Sequence, residues 1–88
     1  MSNSFLKEVG NRVRARRREL GLSRREVSEL CGVSERFLGQ LETGKGNISL
    51  LRFASVANSL EVSPSVLLDE LHMTESHKAV ALLGLRGA

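Results

Sequence analysis

The stretch from Ser23 to Gly44 constrains this chain more than any other. Ser23-Arg24-Arg25-Glu26 is a capping box, in which a serine hydroxyl and a glutamate carboxylate can each satisfy a free backbone amide at a helix start. The helix opening there carries Val27, Leu30 and Cys31 at inward spacing, and Gly32 ends it. Ser34 caps another helix almost at once, with Phe37, Leu38 and Leu41 as its apolar positions. Two short helices joined by a tight Gly32-Val33 turn cross at roughly 90–120°. Leu38 and Leu41 then anchor the second helix, and Glu35, Arg36, Gly39 and Gln40 face outward.

The flanking sequence supplies what this pair must pack against. A first helix is expected from about Ser4 to Leu20, with Leu6, Val9, Val13 and Leu20 on one face, stopped by Gly21. Arg17 falls on that same stripe, where it must find an anion or reach solvent. Thr43-Gly44-Lys45-Gly46-Asn47 reads as a loop. Ser49 caps a fourth helix to about Leu60, with Leu50, Phe53, Val56, Ala57 and Leu60 inward. Ser63-Pro64 opens a fifth helix, through Val66, Leu67 and Leu68 to about Leu71. The expected fold is all-α, five helices over residues 1–71, followed by a polar linker at 72–78 and a tail at 79–88.

Composition narrows the function classes. A chain of 88 residues buries only about 60% of its unfolded surface, so modest stability is expected. No apolar run approaches the roughly 20 residues of a membrane span, and no secretory segment follows the first charges. Cys31 is alone, which excludes an internal disulfide and suits a reducing cytoplasm; with no second Cys or nearby His, no metal site is expected. No carboxylate pair or nucleophile–base pair has usable spacing, and His72 and His77 read as solvated linker residues. Neither catalytic residues nor a cofactor are expected. Net charge is +3, but residues 1–25 hold eight basic and two acidic side chains, a net +6. Such a block fits a polyanionic partner, or simply a solvated helix face.

Leu20-Gly21-Leu22-Ser23, Cys31-Gly32-Val33-Ser34, Gln40-Leu41-Glu42-Thr43-Gly44-Lys45 and Val56-Ala57-Asn58-Ser59-Leu60-Glu61-Val62-Ser63 together resemble the phage-repressor (XRE) type of helix-turn-helix domain, over about residues 5–70. The resemblance implies sequence-specific binding of double-stranded DNA by a bacterial transcription regulator, a repressor in the cytoplasm at the nucleoid, with the second helix of the pair in the major groove. It assigns Glu35, Arg36 and Gln40 to base reading and Arg24, Thr43, Lys45 and Asn47 to phosphate contact, and it pairs Arg17 with Glu42. Ser34, at the start of the reading helix, joins the DNA-facing set. Three positions depart from the pattern: Arg24 stands where Gln is frequent, Ser28 where a small residue is usual, and Gly39 lies inside the reading helix, where it lets the helix approach DNA closely or is neutral. Phe37 is larger than usual, either core or a contact to a thymine methyl. A helical protein-interaction module, such as an antitoxin or adaptor, is the rival function.

Val66, Leu67, Leu68 and Leu71 are too many apolar residues for one inward stripe. Val66, Leu67 and Leu71 are therefore expected to form a homodimer contact on DNA, unless the tail or a further domain covers them. Within that tail, Val80-Ala81-Leu82-Leu83-Gly84 resembles the strand and first glycine of a phosphate-binding loop that the chain does not complete. A repressor-type domain ahead of a shikimate-kinase-like domain resembles the benzoyl-CoA-responsive regulators of aromatic-acid catabolism. That resemblance implies a small-molecule effector, an acyl-CoA, bound only through a missing C-terminal domain.

Overall fold

The computed structural model describes residues 2–69. Its helices are α1 (Ser2–Glu19), α2 (Arg24–Cys31), α3 (Glu35–Glu42), α4 (Leu50–Ser59) and α5 (Pro64–Leu68). The expected linker and tail, with Leu71, His72 and His77, lie outside the described residues.

Local chemistry sets the boundaries. Ser23 Oγ accepts from the Glu26 amide at 3.1 Å, and the Ser23 amide donates to Glu26 Oε1 at 2.8 Å, closing the capping box. Gly32 ends α2 with φ +74°, a left-handed conformation natural to glycine, and its amide bonds to the Ser28 carbonyl. Ser34 Oγ caps α3 through the Phe37 amide and Ser49 Oγ caps α4 through the Arg52 amide. Between α4 and α5, Glu61 holds φ +62° without being glycine.

Val9 and Val13 of α1, Val27 of α2, Val33 in the turn that follows it, Leu38 and Leu41 of α3, four residues of α4 up to its cap Leu60, and Leu67 of α5 form the core. Helix α1 packs across α3 and α5, α2 packs on α3 and α4, and α4 on α5. Gly10 permits a close approach of α1 to α3: a Cβ there would stand 2.3 Å from the Leu41 carbonyl oxygen and 2.6 Å from that of Glu42. Nothing larger fits while α1 lies this near the end of α3.

Three expectations of burial need correction. Leu30 is 64% exposed, because the covered stripe of α2 is narrow and runs through Val27 and the half-buried Cys31. Leu50 is 78% exposed: it is the first residue of α4, and the buried stripe of that helix begins one turn later, at Phe53. Leu67, expected at a dimer contact, is 2% exposed and belongs to this chain's own core, whereas Val66 is 53% exposed.

Two arginines of α1 reach the ends of later helices. Arg16 Nε donates to the Leu60 carbonyl at 2.9 Å, at the end of α4, and Arg12 Nη1 donates to the carbonyls of Val66 and Asp69, at the end of α5. Both guanidiniums thus sit at helix C-termini, whose free carbonyls favour cations.

Candidate nucleic-acid interface

Leu38, Leu41 and Glu42 fix the inner side of α3. The Glu42 side chain is fully buried, and a carboxylate in that position must be paired. Arg17 meets it with both ends of its fork: Nε donates to Oε2 at 2.6 Å and Nη2 to Oε1 at 3.0 Å. Arg17 Nη1 also donates to the Leu22 carbonyl, tying α1 to the turn before α2. Arg24 Nε donates to Glu42 Oε1 at 3.1 Å, and Arg14 Nε lies 3.6 Å from that oxygen, buried and without a hydrogen bond. Burial pushes the Glu42 carboxyl up, but the hydrogen bonds and charges of Arg17 and Arg24 outweigh it and hold the group below the usual carboxylate range. The hydrogen bonds to Glu42 raise the Arg17 guanidinium above its ordinary value against the opposing effect of burial. A helix locked on one side in this way can present the other side as a rigid reading surface.

That other side carries Glu35 and Arg36, both exposed, with Gly39 and Gln40 half-buried beside them. Ser34 is exposed, its hydroxyl engaged in the cap. Phe37 is half-buried against the core, and the guanidinium of Arg52 stands 5.5 Å from its ring centroid.

Two concavities flank α3. The first is lined by Arg17, Arg18, Ser23, Arg24, Arg25, Glu35, Arg36 and Gly39. The second lies at the C-terminal end of α3, lined by Leu6, Lys7, Thr43, Gly44, Lys45, Gly46 and Asn47. Lys45 and Asn47 are exposed there, while the Thr43 hydroxyl turns back onto the carbonyls of Gly39 and Gln40. Arg24 reaches the first cleft with its Nε bonded to Glu42.

Sequence reasoning missed Arg18, Arg25 and Lys7 as cleft residues. For Lys7 the signal lay in Gly44: at φ +74°, a Cβ there would stand 2.8 Å from the backbone and Cγ of Lys7, so this glycine is what brings the start of α1 against the loop.

The helix-turn-helix family profile HTH_3 matches residues 13–67. The chain is 37% identical over 68 residues to the HTH-type transcriptional regulator SinR of Bacillus subtilis, covering 76% of this chain and 61% of SinR. The crystal structure of the restriction-modification controller protein C.AhdI from Aeromonas hydrophila superposes with a TM-score of 0.71 at 31% identity, covering 73% of this chain and 97% of that one. An HTH_3 family transcriptional regulator from Vibrio cholerae gives the same TM-score at 30% identity, over 76% of this chain and 38% of its own. The chain therefore spans about three fifths of SinR and under half of the Vibrio protein, but nearly the whole of the controller protein. With the capped α2–Gly32–α3 pair, the Arg17–Glu42 lock and a profile match over most of its length, this chain belongs to the HTH_3 helix-turn-helix family.

Proposed function

We propose that this chain reads operator DNA for a bacterial transcription regulator, inserting α3 into the major groove. The observation that carries this reading is the two-sidedness of α3: Leu38, Leu41 and Glu42 immobilise one side, while Glu35, Arg36 and Gln40 face out between two basic clefts. Arginine suits the O6 and N7 acceptors of guanine, and glutamine suits the edge of adenine. The clefts fit backbone phosphates on either side of the groove, with Lys45 and Asn47 at one end and Arg18 and Arg25 at the other.

One helix-turn-helix contacts one half-site, so a specific complex calls for two protomers about 34–36 Å apart. Val66 and Leu68 on α5 are the exposed apolar residues suited to that pairing. Selection from a random duplex pool with the purified chain, followed by footprinting, tests the whole reading. The expected result is an enriched motif of two half-sites one helical turn apart, bound with a steep salt dependence. An unenriched pool would refute sequence reading, and a single short footprint at saturation would refute pairing.

A further inference from the structure

At Gly39 the outer surface of α3 has no side chain, and one from another helix lies beside it. The Arg24 guanidinium, from the first turn of α2, lies so that a Cβ on Gly39 would stand 3.7 Å from its Nη1 and 3.9 Å from its Cζ. Its Nε is bonded to the buried Glu42, and neither Nη group bonds to another described residue. Arg24 is thus held in one place across α3, in the same cleft as Arg36, with the two-pronged end of its fork free.

We propose that Arg24 is a base-reading residue, presenting Nη1 and Nη2 to the O6 and N7 of a guanine in the major groove. This rests on the proposed insertion of α3 into that groove. A phosphate contact needs charge and freedom to follow the backbone. Arg24 has its charge partly balanced by Glu42 and its position fixed by the Nε bond. A bidentate base contact needs instead two donors held in a known plane, and Glu42 supplies that orientation. At position 39 α3 carries no side chain, and a residue of α2 lies beside it within van der Waals reach, next to the reading surface of α3. Base identity is then read at one pair by Arg24, beside those read by Arg36 and Gln40.

The test compares the base preferences of the full chain, Arg24→Lys and Arg24→Gln on the operator selected by the unaltered protein, each variant first checked for folding by thermal melting. Lysine keeps the charge but not the planar fork; glutamine can still bond to Glu42 but carries no charge. Both variants are expected to lose about tenfold of the discrimination at one and the same G·C pair, the scale of an arginine–guanine contact. The salt slope should be unchanged for Arg24→Lys. Full retention of base preference in Arg24→Lys would overturn the proposal and return Arg24 to the phosphates. Equal weakening on all duplexes in Arg24→Gln would do the same. If the unaltered chain enriches no sequence at all, the DNA-reading function itself falls; if it does, a silent Arg24→Lys removes this inference alone.

Discussion

Arg12, Arg16 and Arg17 of α1 are bonded to other elements of the fold, whereas Arg18, Arg25 and Arg36, which line the open cleft beside α3 together with Arg17, are not. The first group meets carbonyls and a buried carboxylate. In the second, Arg25 lies 3.6 Å from Glu29 in a mostly exposed pair, which contributes little to the fold. A basic segment in a small helical protein can therefore serve as internal mortar, and the charge that faces a partner is smaller than the sequence total. Removing residues from either group should separate folding from binding.

The largest effect is expected at the buried carboxylate. Glu42→Ala leaves Arg14, Arg17 and Arg24 without their common anion, and should destabilise the fold by about 3 kcal/mol, below the fullest cost of a broken buried pair because the arginines are partly solvated. Glu61→Ala is the control, expected within about 0.5 kcal/mol of the unaltered chain. Comparable urea midpoints for the two would break the distinction between mortar and surface.

The same carboxylate gives a pH signature. Its folded pKa lies below that of the unfolded chain, so its contribution is complete above an unfolded value of about 4.3 and is lost as pH falls through the folded one. The stability gap between the unaltered chain and Glu42→Gln should thus narrow as pH drops below about 4. A gap independent of pH down to acid unfolding would show that the pairing does not depend on ionised Glu42.

On the open side, Arg36→Ala should leave urea unfolding unchanged and cost about 1–3 kcal/mol of binding to the selected operator, with relaxed preference at one base pair. A shift in unfolding midpoint would move Arg36 into the structural group. Gly39→Ala sharpens the contrast. Its Cβ would make only ordinary contact with Arg24, and alanine in mid-helix should stabilise by about 1 kcal/mol, read as a raised midpoint. The smallest change is expected for Lys45→Ala, which should weaken all duplexes alike and reduce the salt slope by about one.

Legibility followed the range of the interaction. Caps and turns depend on residues within four positions of one another, and Ser23, Gly32, Ser34 and Ser49 could be read directly. Arg17 was conspicuous as a charge on an apolar stripe, although only the family resemblance supplied its partner. What could not be read depends on distant chain. The need for glycine at position 10 comes from a carbonyl 31 residues away, and Arg12 and Arg16 look like surface charges until the ends of α4 and α5 arrive. Leu30 and Leu50 were misplaced because helical periodicity marks which residues share a face, not how far the covering neighbour extends.

Helix α5 has only five residues, far too few to hold a helical conformation in water unaided. Leu67 in the core and the grip of Arg12 on its last carbonyls hold it, and the second attaches it to a part of the chain more than 50 residues earlier. It is accordingly the element with the least stability of its own, and the first candidate for sub-global opening, with amide exchange well ahead of α1 and α4. Because Val66 and Leu68 sit on it, a second protomer that covers them would close this foldon as it docks. Pairing on DNA would then appear as slowed hydrogen exchange in α5, far from any nucleotide.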